Sequence, residues 1–135
     1  MNPKSETLEQ IAERFGVRMM LLFGSAVTGQ THADSDLDIA VELEDTRQSY
    51  RARGELAYEL QQLFPGRKID LAVLNRADPL FLKKIVESCR MIFGDAARLQ
   101  AMRIYAFRRY QDHAPYFAME REYVRRVIAG ALTQP

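Results

Sequence analysis

The sequence predicts an α/β (α+β) domain with a small mixed β-sheet flanked by helices and a long helical region at its C-terminal end. Apolar runs at 19–23 and 37–41 predict strands at 17–23 and 36–42, and an alternating run at 67–74 predicts a third strand of the sheet. Apolar residues at helical spacing before, between and after these runs predict the helices. A length of 135 residues with 47% hydrophobic residues suits one domain with a substantial core. We therefore expect a single domain over 1–135, with a core at about 5–95 and a helical partner-binding region at about 95–131.

Local signals place the elements in order. Ser5 is a candidate N-cap for the first helix, and Gly16 ends it. Asp78 caps a later helix that has Pro79 at its first position. Pro115 should break or kink the last helical region. The predicted helices cover 5–15, 24–27, 47–64, 79–88 and 95–131, and the predicted strands cover 17–23, 36–42, 67–74 and 90–93.

Composition narrows the cellular setting. Cys89 is the only cysteine, so no disulfide can form within the chain. No apolar run reaches 18 residues, and the first ten residues are polar, so neither a membrane span nor a signal peptide is expected. These observations predict a cytoplasmic protein without membrane association.

The most informative pattern is Gly24-Ser25, followed after ten residues by Asp36-Leu37-Asp38. Side chains two residues apart lie on one face of a strand, so Asp36 and Asp38 point the same way and can share a divalent cation. Gly24 and Ser25 offer a hydroxyl and backbone N–H groups with no Cβ in the way at the glycine, which suits a phosphate. A short helix after Gly24 would add its dipole to that site. Together these groups indicate phosphoryl or nucleotidyl transfer.

Asp70 is the third candidate. It lies among apolar neighbours in the predicted strand 67–74, and burial of a carboxylate is costly unless it is paired or binds a metal. If this strand lies beside the strand of Asp36 and Asp38, the three carboxylates share one face of the sheet.

The segments Phe23-Gly24-Ser25 and Ser35-Asp36-Leu37-Asp38 resemble the Gly-Ser-x10-Asp-x-Asp signature of the DNA polymerase β-like nucleotidyltransferases. The likeness covers about 5–95 and is greatest to the small stand-alone members, the minimal nucleotidyltransferases. One departure is Thr28, which stands where many members have arginine. The metal-binding pattern is unaffected.

This resemblance implies a fold, a chemistry and residue roles. It implies that Asp36, Asp38 and Asp70 bind two Mg²⁺ ions, and that Asp70 also activates the attacking hydroxyl. Gly24 and Ser25 would hold the β- and γ-phosphates of ATP. The α-phosphorus would be attacked and pyrophosphate released, with the two metals clamping the attacking and leaving oxygens.

Within that family, the motifs and the long basic C-terminal helix resemble the MntA-type antitoxins. The resemblance implies a partner, a HEPN-domain ribonuclease toxin encoded by a neighbouring gene, in a hetero-oligomer. It also implies that AMP is transferred to a tyrosine hydroxyl of the toxin, which is thereby neutralised.

Two other functions remain open. The chain could modify a small hydroxylated molecule, as antibiotic nucleotidyltransferases do, although those carry a larger second domain. It could also mask a partner by contact without catalysis.

The tail differs in charge from the rest of the chain. Residues 98–126 hold seven arginines against three acidic residues, whereas 1–97 hold 12 basic and 15 acidic residues. Aromatic residues interleave with these arginines, which could bind RNA. The apolar spacing instead favours a helix that packs on the domain or on a protein partner. We therefore expect a protein contact and no direct binding of RNA.

Overall fold

The computed structural model describes residues 3–29, 36–47 and 50–133. These residues form a four-stranded sheet with helices on both faces, as the sequence predicts. The elements are α1 (Pro3–Phe15), β1 (Val17–Phe23), α2 (Ser25–Thr28), β2 (Leu37–Leu43), α3 (Tyr50–Leu63), β3 (Ile69–Val73), a 3-10 turn (Leu74–Arg76), α4 (Pro79–Glu87), β4 (Arg90–Phe93) and α5 (Ala96–Thr133).

The sheet is mixed, with the strand order β3-β2-β1-β4. β1 pairs antiparallel with both β2 and β4. β3 pairs in parallel with β2, because α3 returns the chain to the starting end of β2 before β3 begins. The first residues of β2 and β3 therefore lie beside the last residues of β1, at one end of the strands.

Two apolar clusters pack on opposite faces of the sheet, because alternate side chains of each strand point to opposite faces. One face carries Leu21 and Ala40 against buried residues of α4 and α5. The other carries Met20 and Ile39 against buried residues of α1 and α3. The division into a single domain over the whole chain stays a prediction.

The element boundaries differ from the expected ones where local chemistry favours another residue. α1 begins at Pro3, two residues before the expected cap at Ser5, because proline suits the first turn of a helix. β3 is shorter than expected and gives way at Leu74 to a 3-10 turn. The Asp78 carboxylate accepts hydrogen bonds from the N–H groups of Leu80 and Phe81, which confirms the predicted cap of α4.

Of the expected break or kink at Pro115, the break is wrong, because α5 continues through this residue. The kink stays a prediction. Proline removes only one backbone donor. Aromatic rings also pack beside it on the same helix, with 4.5 Å between the ring centroids of His113 and Phe117 and 5.9 Å between those of Tyr110 and Phe117. These contacts span the turn that contains the proline.

Only the first part of α5 packs on the sheet. Leu99, Met102 and Ala106 are buried in the core. Beyond His113, α5 is mostly exposed, and its large apolar side chains lie in solvent: Tyr116, Met119, Tyr123, Val124, Val127 and Ile128. Among the described helices, none is both long and apolar enough to span a membrane.

One partly buried ion pair joins α5 to the sheet. Arg98 donates from Nε to Glu42 Oε1 at 2.6 Å and from Nη2 to Glu42 Oε2 at 2.5 Å. Glu42 on β2 is 4% exposed. The hydrogen bond to Glu42 raises the pKa of the Arg98 guanidinium above its ordinary value. This bidentate pair compensates the negative charge of Glu42, which would otherwise be costly to bury.

We expect Arg98→Ala to lower the free energy of unfolding by about 3 kcal/mol, because it leaves Glu42 buried without a counter-charge. Urea denaturation followed by circular dichroism measures the loss. Arg126→Ala is the matched control, since Arg126 pairs with Glu122 on the exposed surface of α5 and should contribute only about 0.5 kcal/mol. Equal losses in the two variants would contradict the assignment of Glu42–Arg98 as the pair that holds α5.

Candidate active site

The candidate site lies where β1 ends and β2 and β3 begin. Phe23 is the Cα partner of Asp38 across the antiparallel pair, and Asp38 is the partner of Asp70 across the parallel pair. Paired residues share a face of the sheet, so these three side chains form one row. We call Phe23, Asp38 and Asp70 the site row. It lies on the face that α4 and α5 cover, since Ala40 and Ala72 of the next row pack in that core.

Gly24 brings the backbone against the site row. Its φ of +70° belongs to the left-handed region, which glycine adopts without strain. A Cβ placed on Gly24 would collide with Asp38 Oδ2, so no other residue fits without displacing that carboxylate. Glycine is therefore required here both for its backbone conformation and for the close approach.

The turn after Gly24 is short. The N–H of Val27 donates to Gly24 O at 3.1 Å, and the N–H of Gly29 donates to Ser25 O at 3.2 Å. The predicted helix is thus confirmed, but it starts at Ser25 and makes a single turn. So few aligned peptide groups give only a small helix dipole. The close approach of the Gly24 backbone to Asp38 is therefore the main feature of this segment, Gly24-Ser25, which we call the Gly24 cradle.

The Asp38 carboxyl group has an unusual electrostatic environment. Its pKa is raised above the ordinary value of 3.8, first by its partial burial and then by the negative charges of Asp70 and Asp36. A side-chain hydrogen bond with Asp70 raises the pKa further. The structure therefore places Asp36 and Asp70 near Asp38, the three carboxyl groups that the sequence singled out, and both charges disfavour ionisation of Asp38. A cation between them would relieve this repulsion.

The arrangement fits a Mg²⁺ ion that takes only some of its ligands from the protein, rather than a site in which protein side chains supply all of them. Within residues 3–29, 36–47 and 50–133, no three His, Cys, Asp or Glu side chains converge tightly enough to hold a metal ion alone. Mg²⁺ is usually bound through one or two carboxylates, with the other ligands supplied by water and substrate phosphates. Asp36, Asp38 and Asp70 offer the oxygen donors that this mode needs.

The burial argument for Asp70 is wrong, because its side chain is exposed. Asp70 is the second residue of β3, and β3 is an edge strand, so water reaches it from the open side. Its place in the site row instead follows from the register with Asp38.

Sequence reasoning missed two features beside the row. Phe81 of α4 packs edge-on against Phe23, with 6.0 Å between the ring centroids, and Phe81 is 41% exposed. Phe81 thus packs against Phe23 at one end of the site row. Gln61 of α3 bonds to the backbone just before Asp70: its side chain donates to Arg67 O and accepts from Ile69 N–H at 3.0 Å. A glutamine in a helix carries no sequence signal for such a contact.

Four other residues have side chains of the types that can bind a ligand or act in catalysis: His32, Asp34, Lys83 and Cys89. Asp34 and His32 fall outside the described residues. Cys89 is partly buried and donates to Val86 O at 3.7 Å, which suits a packing role. Lys83 pairs with Glu87 on α4 and lies 4.8 Å above the ring centroid of Tyr110, so it faces α5.

Comparison with known proteins gives one family match, to the polymerase beta nucleotidyltransferase domain over residues 6–98. The chain is 33% identical over 78 residues to the protein adenylyltransferase MntA of Shewanella oneidensis, which covers 58% of this chain and 55% of that protein. It is 49% identical over 37 residues to the MntA of Thermococcus cleftensis, covering 27% of this chain and 37% of that protein. The chain thus matches about half or less of the length of each relative.

Solved structures show the same fold. A toxin–antitoxin crystal structure with AMP-PNP superposes with a TM-score of 0.75 at 24% identity, covering 89% of this chain and 98% of that one. The MNT antitoxin in a complex with the tri-AMPylated HEPN toxin of Shewanella oneidensis gives a TM-score of 0.69 at 22% identity, covering 90% of this chain and 96% of that one. At sequence identities this low, the superpositions establish a shared architecture alone.

The family match covers the whole site, from the Gly24 cradle through the aspartates of β2 and β3, and extends over more than half of the chain. The chain therefore belongs to the polymerase beta nucleotidyltransferase family.

Proposed function

We propose that this protein is a Mg²⁺-dependent adenylyltransferase antitoxin, which transfers AMP from ATP to a tyrosine hydroxyl of a HEPN ribonuclease toxin. The observation that carries the proposal is the contact between Gly24 and Asp38, with Asp70 beside them. This contact joins a backbone cradle for phosphate to carboxylates that need a cation. Similarity to proteins named MntA adenylyltransferases supports AMP as the transferred group.

The chemistry assigns a task to each residue. Gly24 and Ser25 hold the terminal phosphates of ATP, and Asp36 and Asp38 with Asp70 hold Mg²⁺. When bound, Mg²⁺ would neutralise charge on the triphosphate of ATP and orient the triphosphate for in-line displacement. The tyrosine oxygen forms a bond to the α-phosphorus, the bond to the β-phosphate oxygen breaks, and pyrophosphate leaves. Asp70 accepts the hydroxyl proton, and its exposure on the edge strand leaves it accessible to an acceptor.

The second half of α5 supplies the partner surface. A groove of about 680 Å³ separates it from α4 and is lined mainly by apolar side chains of Leu80, Tyr110, Phe117 and Val124. Single exposed apolar residues are common on protein surfaces. An apolar groove next to several exposed apolar side chains of α5 is instead typical of a protein contact. A protein partner is therefore favoured over a free small-molecule acceptor, and over RNA.

Asp36→Asn/Asp38→Asn should reduce AMP transfer by on the order of a hundredfold or more, because it removes charges that position the metal and phosphates. Transfer is measured with ATP labelled at the α-phosphate, the cognate toxin and Mg²⁺. Glu44→Gln is the matched control, since Glu44 is exposed beyond the other end of β2.

The same labelling separates the alternatives. Toxin neutralisation that persists in Asp36→Asn/Asp38→Asn would contradict catalysis and favour masking by contact. Label that appears only in small molecules would favour the antibiotic-type reaction.

Gly24→Ala should abolish binding of Mg²⁺·ATP and lower stability, because the new Cβ displaces the Asp38 carboxylate and the φ of +70° is strained for alanine. Isothermal titration calorimetry measures the binding. Gly54→Ala is the control: Gly54 lies within α3 with no atom near the added methyl group, so alanine should stabilise the helix by about 1 kcal/mol. Unchanged nucleotide affinity in Gly24→Ala would argue against the cradle.

Without metal, Asp38→Asn should be more stable than wild type at neutral pH. The folded-state pKa of Asp38 is raised, so folding holds this proton more tightly and the ionised carboxylate subtracts stability above that pKa. The advantage should disappear below the ordinary value of 3.8, where Asp38 is protonated both folded and unfolded.

Urea denaturation across this pH range tests the sign. Saturating Mg²⁺ should reverse the order at neutral pH, since the ion stabilises only the wild type. A wild type more stable than Asp38→Asn in metal-free neutral buffer would contradict the electrostatic assignment.

A further inference from the structure

The hairpin that forms the candidate site lacks positive charge. From residue 19 to residue 46 the sequence contains no lysine or arginine, although this segment holds Gly24, Ser25, Asp36 and Asp38. A triphosphate carries several negative charges, and such chains are usually bound by cationic side chains as well as by metal ions. A cation from outside the hairpin is therefore needed beside the site row.

Register brings one lysine to that place. Leu37 is paired with Ile69, and the N–H of Leu37 donates to Lys68 O at 2.8 Å. Asp36 and Lys68 are thus the residues directly before the first pair of the parallel ladder, whose strands lie about 4.8 Å apart. By strand alternation, both residues share the face of Asp38 and Asp70 and form the next row outward.

The backbone around Lys68 is held on three sides. Gln61 donates to Arg67 O and accepts from Ile69 N–H, and Lys68 O accepts from Leu37 N–H. These bonds fix the residues before and after Lys68 as well as Lys68 itself. A lysine on a fixed backbone loses less freedom when it binds an anion.

Nothing in the described part of the chain uses the charge of Lys68 for structure. Its side chain is exposed, and the ion pairs there involve other residues: Arg14, Arg47, Arg51, Lys83, Arg98, Arg125 and Arg126. A lysine next to Asp36 on the neighbouring strand, outside all these ion pairs, is available for an anion.

We propose that Lys68 is a further substrate-binding residue, whose ammonium group binds the phosphate chain of the nucleotide beside Asp36. The inference rests on the proposed nucleotidyl transfer and assigns a second source of positive charge to that site. Lys68 acts with the metal ion, and it holds phosphate oxygens without taking part in proton transfer.

Calorimetric titration of the full chain with ATP and, separately, with tripolyphosphate tests the proposal, each probe with Mg²⁺. Lys68→Met should weaken both probes by a similar factor, about ten- to thirtyfold, because one charged hydrogen-bond donor is lost. Lys68→Arg should stay within about threefold of wild type, since it keeps the charge. Melting temperatures should be unchanged, because Lys68 is exposed.

Arg76→Met is the matched control, since Arg76 is an exposed cation just beyond the opposite end of β3. It removes the same net charge and should leave both affinities unchanged. Weakening of both probes in Arg76→Met to the same extent as in Lys68→Met would overturn the proposal in favour of a general charge effect.

Other outcomes separate this inference from the proposed function. Unchanged affinities in Lys68→Met, with binding lost in Asp36→Asn/Asp38→Asn, would overturn the role of Lys68 alone. Weaker ATP binding with unchanged tripolyphosphate binding would also overturn it, since the lysine would then contact the nucleoside. Weakened binding of both probes would support Lys68 even if no AMP transfer were detected.

Discussion

The parallel pairing of β2 with β3 determines where Asp70 and Lys68 lie relative to the aspartates of β2. Asp38 faces Asp70 because Leu37 pairs with Ile69, and the same register sets Lys68 beside Asp36. A slip of one residue would turn Asp70 to the opposite face of the sheet and remove it from the site. The backbone contacts of Gln61 act at this point of the chain, so α3 supports the register as well as the core.

The sequence predicted most of the architecture because its signals are local. Alternation, glycine and proline positions, and the Asp78 cap located the four strands and most helix ends. The continuation of α5 through Pro115 runs against the local rule that an interior proline ends or kinks a helix, so the local signal predicted the wrong boundary.

For the site, a fixed spacing identified Gly24, Ser25, Asp36 and Asp38, and resemblance implied the position of Asp70. Lys68, Gln61 and Phe81 escaped notice because their meaning lies in strand register and in contacts between elements. A lysine before a strand has no distinctive pattern. Its place next to Asp36 becomes visible only when the neighbouring strand is known.

The exposure of Asp70 on an edge strand has a consequence for selectivity. A site open on one side encloses little of an acceptor, so shape near the reacting atoms can reject few competitors. In the proposed AMP transfer, the choice of acceptor would then depend on contacts made far from the phosphorus, such as those available along α5. Recognition and chemistry would thus reside in separate parts of the chain, and substitutions could retarget the enzyme to a new partner without disturbing its phosphate chemistry.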